Sequence, residues 1–243
     1  MEALARHLTE WIAAEVTAAG GRGAVFGLSG GIDSAVVAAL AKRAFPHHTL
    51  GVVMPCHSDP QDAEDAAIVA HHFDIPNCTV DLGPVYDLLL ESLSTHCTDM
   101  PDSKLATANL KPRLRMTTLY AFANQLDYRV LGTGNRSELA VGYFTKYGDG
   151  GADFLPLGDL VKGEVRDLAR HLGVPERIVA KPPSAGLWAD QTDEAEMGLT
   201  YEELDAYLLT SEASPAVKAR VDAMHAASEH KRALPRIASK PGA

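Results

Sequence analysis

The sequence predicts an α/β fold in which one doubly wound parallel sheet carries helices on both faces. Short apolar segments alternate with helix-like segments along the first half of the chain. The apolar segments are nearly continuous, which is typical of strands buried on both faces. The chain has 243 residues, of which 46% are hydrophobic, enough to bury the core of one domain. We therefore expect residues 1–243 to form a single domain.

The elements of the first half follow from local patterns. Residues 60–73 begin with proline and acidic residues, as the first turn of a helix prefers. The predicted elements, in chain order, are a helix at 2–19, a strand, loop and helix within 24–45, a strand at 49–55, a helix at 60–73, a strand at 77–82, a helix at 85–94, a loop at 98–110 with a helix starting near its end, a helix at 113–127 and a strand at 128–131.

The second half has a different texture. Residues 145–153 form a loop rich in glycine and aspartate, and residues 181–198 show almost no periodicity. Helices are predicted at 162–172, 201–209 and 216–230. A long aperiodic loop in one domain is typical of a functional segment. We expect residues 181–198 to act as a mobile lid, with Ser184 and Trp188 on it. The residues alone leave a second interpretation open, in which the loop is permanently packed and Trp188 anchors it.

Composition limits the classes of function. A net charge of −10 argues against a large nucleic-acid footprint. No apolar run is long enough for a membrane span, and the first residues lack the apolar centre of a signal peptide, so we expect a cytoplasmic protein. The three cysteines are scattered without a CxxC, which predicts reduced thiols in or near the core and no zinc site.

The segment GLSGGIDS at 27–34 joins the first strand to the next helix. Gly30 and Gly31 allow successive backbone N–H groups to point at one anion, and the helix start adds about half a positive charge. Ser29 can donate a hydroxyl, but Asp33 repels an anion unless Mg²⁺ bridges the two. The residues alone leave a second interpretation open, in which Asp33 caps the helix and the glycines serve packing. The lysine of a P-loop is absent.

The string SGGIDS resembles the pyrophosphate-binding loop of the ATP pyrophosphatase superfamily. Four further segments resemble ammonia-dependent NAD⁺ synthetases, so the resemblance spans nearly the whole chain. These are KPRLRMTTLYAFAN at 111–124, GTGNRSELAVGYFTKYGDGGADFLPLGDLVKGEV at 132–165, KPPSAGLWADQTDE at 181–194 and SEHKRALP at 228–235. The resemblance implies an adenine nucleotide alpha hydrolase-like (Rossmann-like) fold and a homodimer. It also implies ATP-dependent amidation of nicotinic acid adenine dinucleotide (deamido-NAD⁺) by ammonia, giving NAD⁺, AMP and diphosphate through a carboxyl adenylate, as the final step of NAD⁺ biosynthesis.

The resemblance also implies roles for individual residues. Asp33 and Glu138 match the ligands of Mg²⁺, and Lys162 supplies the phosphate-binding lysine that the loop lacks. Asp153 is a candidate proton acceptor by its position. The implied ATP contacts are Gly27, Leu28, Ser29, Gly30, Gly31, Ile32, Asp33, Ser34, Thr133, Lys162 and Ser184. The implied contacts to deamido-NAD⁺ are Arg113, Lys146, Asp153, His230 and Lys231. Two positions depart from the family pattern, Pro112 and Gly163, and we expect a helix to start at Pro112.

Without the resemblance, several of these residues keep a structural alternative. Glu138 could be a solvated helix residue, Asp153 a turn former, and His230 with Lys231 a surface pair. At the level of function, two rivals stay open: another ATP pyrophosphatase, such as a tRNA-thiolating or GMP-forming enzyme, and a non-catalytic ATP-binding module. The chain shows no motif of a glutamine-hydrolysing domain, so we expect it to use ammonia rather than glutamine, and the origin of that ammonia stays open.

Overall fold

Four parallel strands form the central sheet of the computed structural model, which describes residues 1–96, 103–188 and 191–240. They are β1 (Gly23–Gly27), β2 (Thr49–Val53), β3 (Asn77–Thr79) and β4 (Tyr128–Val130). Within the described residues their order is β3-β2-β1-β4, and every pairing is parallel. The prediction of a parallel α/β sheet is confirmed.

The order of the strands creates a switch point in the sheet. The chain moves outward from β1 through β2 to β3, and then returns to place β4 on the other side of β1. In such a sheet the loops that leave β1 and β4 diverge, and ligands bind in the crevice beyond their carboxyl ends. A parallel bridge between Leu131 and Phe154 extends the sheet beside β4.

Three strands are shorter than predicted, of which β4 ends one residue early, at Val130. β2 and β3 were expected to reach Pro55 and Leu82. Backbone hydrogen bonds continue past the strand ends, from Val80 N–H to the Val53 carbonyl at 2.9 Å and from Leu82 N–H to the Pro55 carbonyl at 2.8 Å. The apolar pattern therefore marked the paired backbone correctly but not the limits of regular strand geometry.

One layer of helices covers the face of the sheet that carries Ala24, Phe26 and Leu28. These helices bury small and branched side chains against the sheet, and α2 is buried on nearly every side. The layer comprises α1 (Glu2–Ala18), α2 (Ile32–Ala44), α3 (Pro60–His72), α8 (Lys162–Leu172) and α9 (Glu176–Val179).

The opposite face carries Val25, Val52 and Val130, and it is covered by helices from the middle of the chain. They are α4 (Gly83–His96) and α6 (Leu110–Leu126), and the short helix α5 (Lys104–Ala108) packs on α6. Alternate residues of β1 thus face two different helix layers, which is what the doubly wound arrangement requires. The prediction of helices on both faces is confirmed.

The expected start of a helix at Pro112 is wrong, because α6 begins two residues earlier, at Leu110. Asn109 serves both as the last cap of α5 and as the first cap of α6. Proline is tolerated at Pro112 because the first N–H groups of a helix have no partner within the helix.

A third group of helices packs beside the sheet around Val141, Met197, Tyr201 and Leu204. It comprises α7 (Arg136–Val141), α10 (Asp193–Met197), α11 (Tyr201–Thr210) and α12 (Pro215–Arg232). Neither α7 nor α9 was predicted, α10 lies inside the segment expected to be an aperiodic loop, and α5 lies within the predicted 98–110 loop.

Three further expectations concern composition. No helix within the described residues is long and apolar enough to span a membrane. Cys56 is buried and Cys78 is partly buried, both as free thiols, while Cys97 lies outside the described residues. Part of the predicted 98–110 loop also lies outside them.

The contact between α8 and the core gives a test of the packing. Leu168 is 0% exposed on α8, and the change Leu168→Ala should lower the free energy of unfolding by about 2–5 kcal/mol, because it leaves a cavity. Leu234→Ala is the matched control, since Leu234 is 89% exposed and its loss should cost under about 0.5 kcal/mol. Urea unfolding measures both. Equal midpoints for the two variants would contradict the assigned packing.

Candidate active site

The functional residues gather at the switch point between β1 and β4. The loop at 28–31 leaves β1 and leads into α2, and residues 131–135 leave β4 and lead into α7. Both loops emerge from the carboxyl ends of paired parallel strands, so they lie at the same edge of the sheet. The structure thus brings together two segments that are about a hundred residues apart in the chain.

The loop after β1 is fixed by its own hydroxyls. The Ser29 hydroxyl lies 3.1 Å from the Ser34 hydroxyl and accepts a hydrogen bond from the Gly31 N–H at 3.3 Å. Gly30 has φ of +77°, and a Cβ there would lie 2.5 Å from the Asp62 carbonyl oxygen. Glycine is therefore required at position 30 both by the backbone conformation and by the contact with α3.

A buried lysine lies between two carboxylates at the start of α2. The Lys162 ammonium donates to Asp33 Oδ2 at 2.6 Å and lies 3.5 Å from Glu138 Oε1. The Lys162 side chain is 2% exposed. We call these three residues the lysine–carboxylate centre. The predicted lysine reaches the loop from α8.

The alternative in which Asp33 caps α2 is not supported by its contacts. Gly31 is the cap residue, and no side chain caps the helix. Asp33 instead accepts a hydrogen bond from the Asn135 amide at 2.9 Å, in addition to its contact with Lys162. Asp33 therefore joins α2 to α7 and α8.

Glu138 has both a structural and an electrostatic role. Its Oε2 accepts from the Asn135 N–H at 3.1 Å, while the Asn135 side chain accepts from the Glu138 N–H at 3.0 Å. This reciprocal capping box starts α7 and leaves Oε1 of Glu138 facing Lys162. The pattern Asn-x-x-Glu was a signal for α7 in the sequence.

The charges within the lysine–carboxylate centre shift the pKa values of Glu138 and Lys162. Burial raises the pKa of Glu138 to about 8, and the charge of Lys162 opposes that rise while Asp33 adds to it. Burial lowers the pKa of Lys162, but Asp33 and Glu138 outweigh it and raise the Lys162 pKa above its ordinary value. Lys162 therefore stays charged, and a cation bound at Glu138 competes with a proton.

Two side chains that sequence reasoning missed hold Lys162 in place. The Ser137 hydroxyl accepts from the Lys162 N–H at 3.1 Å and donates to Asp205 Oδ1 at 2.5 Å. Asp205 Oδ2 accepts from the Gly163 N–H at 2.7 Å. The start of α8 is thus capped by α7 and α11, because Val161 has no side chain that can cap it.

The same helix, α11, approaches the Lys162 ammonium with Tyr201. That ammonium lies 5.0 Å from the centre of the buried Tyr201 ring. The Tyr201 hydroxyl donates to Asp193 Oδ2 at 2.9 Å, and Asp193 Oδ1 is buried without a hydrogen-bond partner. Burial raises the Asp193 pKa. Tyr201 and Asp205 lie one helical turn apart, so α11 contacts both the side chain of Lys162 and the backbone of the next residue, Gly163.

The residues fit a magnesium ion that is shared with phosphate. Within the described parts of the chain, no group of three or more acidic, histidine or cysteine side chains could hold a metal. Asp33 and Glu138 nevertheless offer two hard oxygen donors beside Lys162. Mg²⁺ commonly takes one or two carboxylates and completes its shell with water and substrate phosphates.

Four of the residues that were predicted to contact deamido-NAD⁺, the acceptor of the nitrogen, lie along one connected surface. The Arg113 guanidinium donates to the Lys146 carbonyl at 3.4 Å, and the Lys146 ammonium donates to the His230 carbonyl. Lys231 donates to the carbonyls of Gly142 and Phe144, each at 2.8 Å. The helices α6 and α12 therefore both meet the loop after α7.

Other predicted site residues have structural contacts of their own. Asp153 Oδ2 accepts from the Val130 N–H at 2.8 Å, and Oδ1 accepts from the Tyr120 hydroxyl at 3.1 Å. These contacts tie the Gly/Asp loop to β4, and a role for Asp153 as proton acceptor stays a prediction. Thr133 is partly buried in the loop after β4.

The segment of residues 181–188 contacts α3, since the Lys181 ammonium donates to Asp62 and Asp65. Ser184 is exposed, and its hydroxyl accepts from the Gly186 N–H at 3.1 Å. Lys111 donates to the Leu187 carbonyl at 2.8 Å, and Lys104 lies 4.4 Å from the Trp188 ring centre. Residues 189–190 of the predicted lid lie outside the described residues.

A parallel sheet with a glycine-rich loop and a buried lysine–carboxylate centre at its switch point defines a nucleotide-binding α/β protein. The family model for NAD synthase matches residues 4–235, and the chain belongs to that family. It is 52% identical over 230 residues to the NH(3)-dependent NAD(+) synthetase of Carboxydothermus hydrogenoformans, covering 95% of this chain and 94% of that protein. The resemblance stated from the motifs is thereby confirmed.

Two solved structures share the fold over nearly their whole length. NMN synthetase from Francisella tularensis has a TM-score of 0.91 and 38% identity, covering 99% of this chain and 98% of that one. The NH3-dependent NAD synthetase from Campylobacter jejuni, solved in complex with the nitrate ion, has a TM-score of 0.80 and 28% identity, covering 98% of each chain.

The cap on α8 gives a test of how Lys162 is positioned. Asp205→Ala removes the acceptor for Gly163 N–H and Ser137, so we expect it to lower the free energy of unfolding by about 1–3 kcal/mol. Asp222→Ala on α12 is the control, because Asp222 is exposed and bonds the Tyr207 hydroxyl. Urea unfolding compares the two. A loss for Asp205→Ala no larger than the control would contradict the capping role.

Proposed function

We propose that the chain catalyses ATP-dependent amidation of deamido-NAD⁺ by ammonia, giving NAD⁺, AMP and diphosphate. The observation that supports this most strongly is the lysine–carboxylate centre beside the phosphate loop, in a chain of the NAD synthase family. Asp33 and Glu138 are suited to Mg²⁺, and Lys162 to the triphosphate. Residues 1–243 are proposed to act as a single synthetase domain, and the homodimer implied by the resemblance stays a prediction.

The first step joins the acceptor to AMP. A carboxylate oxygen of the pyridine ring attacks the α-phosphorus of ATP, the bond between the α-phosphorus and its bridging oxygen breaks, and diphosphate leaves. A bound Mg²⁺ would neutralise phosphate charge during this displacement. Lys162 holds a positive charge at the same place, and the backbone N–H groups of the loop after β1 are suited to bind the leaving diphosphate.

The second step forms the amide. Ammonia attacks the acyl carbon, the bond from that carbon to the AMP oxygen breaks, AMP leaves, and the nitrogen loses a proton, for which Asp153 is the proposed acceptor. The acyl adenylate reacts readily with water, so the site must exclude water while ammonia enters. The surface formed by Arg113, Lys146 and Lys231 is proposed to bind the anionic acceptor, and Ser184 to contact the ATP phosphates as the 181–198 segment covers them.

One observation favours a second acceptor. The NMN synthetase structure matches this chain with a TM-score of 0.91. Amidation of the same pyridine carboxylate on a mononucleotide would use the same adenylation chemistry. The choice between a dinucleotide and a mononucleotide lies in the acceptor surface rather than in the lysine–carboxylate centre.

Product analysis tests the proposed reaction. With ATP, Mg²⁺, ammonium and deamido-NAD⁺, we expect NAD⁺, AMP and diphosphate in equal amounts. ADP with orthophosphate would contradict attack at the α-phosphorus. Nicotinic acid mononucleotide in a parallel assay identifies the preferred acceptor by kcat/KM, and ammonia-free glutamine is the control nitrogen source, which should give no amide.

The metal proposal is tested by substitutions that conserve shape. Asp33→Asn and Glu138→Gln each remove one anionic ligand, and Gln at 138 can still accept the Asn135 N–H of the capping box. We expect each to lower turnover by about 100-fold or more, since one preorganised electrostatic contact contributes that much. Circular dichroism checks the fold. Wild-type turnover at limiting Mg²⁺ in either variant would exclude that residue as a ligand.

A further inference from the structure

We infer that Asp65 is a positioning residue for the reaction: it fixes the start of the 181–188 segment against the phosphate loop, and so sets the site of Ser184. This inference rests on the proposed function, in which Ser184 contacts the ATP phosphates. None of the motifs quoted from the sequence includes Asp65, which lies on α3.

Asp65 is a buried carboxylate with two cationic partners. It is 2% exposed, its Oδ1 accepts from the Arg177 guanidinium at 2.8 Å, and its Oδ2 accepts from the Lys181 ammonium at 2.7 Å. Arg177 belongs to α9, and Lys181 is the first residue of the 181–188 segment. A buried carboxylate held by two cations is costly to disrupt, so these contacts fix the segment where it leaves α9.

The same residue touches the phosphate loop from the other side. A Cβ at Gly30 would lie 2.8 Å from Asp65 Cβ and 2.5 Å from the Asp62 carbonyl oxygen. The loop backbone therefore rests directly on the first turns of α3. Lys181 also donates to Asp62 Oδ1 at 2.8 Å. The helix α3 therefore contacts both the loop after β1 and the start of the 181–188 segment.

The protonation of Lys181 supports the contact. Burial lowers the pKa of Lys181, but its hydrogen bonds to Asp62 and Asp65 outweigh burial and raise that pKa above the ordinary value. The ammonium is therefore charged throughout the physiological range. The contact is a charge-assisted hydrogen bond, which is short and directional.

The far end of the segment is held by different helices. Lys111 of α6 donates to the Leu187 carbonyl, and Lys104 of α5 lies over the Trp188 ring. Residues 181–188 thus run from α3, on one face of the sheet, to α5 and α6, on the other. Ser184 lies between the two attachments, three residues after Lys181, and the carbonyl of the preceding Pro183 accepts from the Asp193 N–H at 3.2 Å. Loosening the Lys181 end should displace Ser184 without touching the lysine–carboxylate centre.

The experiment uses the full chain with the background change Trp11→Phe, so that Trp188 is the remaining tryptophan. Asp65→Asn and Lys181→Met are compared singly and together. Lys181→Arg keeps the charge, and Asp74→Asn is the matched control because Asp74 is an exposed carboxylate paired with Lys42 at 3.3 Å. ATP KM, acceptor KM, kcat and the ratio of AMP to NAD⁺ are measured for each.

We expect Asp65→Asn and Lys181→Met each to raise the ATP KM by about tenfold, the equivalent of one charge-assisted hydrogen bond. Acceptor KM should change by less than about twofold, and AMP should exceed NAD⁺ because a displaced segment admits water. The effects of the two changes should combine to less than their product in the double variant, because both break the contact between Asp65 and Lys181, although each also removes one further ion pair. Lys181→Arg should restore most of the loss.

Two results would overturn the inference: an ATP KM in Asp65→Asn within twofold of the Asp74→Asn control, or multiplied effects in the double variant. Lys181→Met decides the matter if Asp65→Asn does not fold, because Lys181 is partly exposed. A non-hydrolysable ATP analogue with Mg²⁺ gives the same comparison without turnover, because the change in Trp188 emission measures its binding. A wild type that binds the analogue and forms no amide would contradict the proposed function alone, and the binding constants of the variants would still test Asp65.

Discussion

The ammonium of Lys162, buried between Asp33 and Glu138, is the interaction on which the rest of the site depends. A buried charge is tolerated only where partners neutralise it, and here Lys162 of α8 finds its two partners on α2 and α7. Those helices are brought together only when β4 pairs with β1 on the side away from β2. The order of the strands in the sheet therefore determines whether Lys162, Asp33 and Glu138 can meet.

Under the proposed function, this arrangement explains how the glycine-rich loop after β1 could bind phosphate without a lysine of its own. A lysine in the loop would lie at a fixed distance from the glycines in the sequence. Lys162 instead lies at the start of α8, where Ser137 and Asp205 accept hydrogen bonds from the first N–H groups of that helix. Asp33, at the start of α2, is already paired with Lys162. The positive charge of Lys162 offsets the repulsion between the Asp33 carboxylate and an approaching anion. The positive end of α2 can then act on the phosphates.

Much of the fold could be predicted from the sequence, because strands buried on both faces leave an apolar signal that is local in the chain. The position of the loop after β1 could be predicted for the same reason, since its glycines, serines and aspartate are contiguous. The bonds from Asp205 to α8 and from Asp65 to Lys181 could not, because they join residues far apart in the chain. α7 was missed although Asn135 and Glu138 form a capping box, since a helix of six residues is too short to show periodicity.

The most direct test of this account follows an oxygen atom from the acceptor into AMP. Deamido-NAD⁺ carrying ¹⁸O in its pyridine carboxylate is incubated with ATP, Mg²⁺ and ammonium, and the products are analysed by mass spectrometry. If the site joins the carboxylate to the α-phosphate, each AMP formed together with NAD⁺ carries one ¹⁸O, and diphosphate carries none. Unlabelled AMP, or label in orthophosphate, would contradict the account.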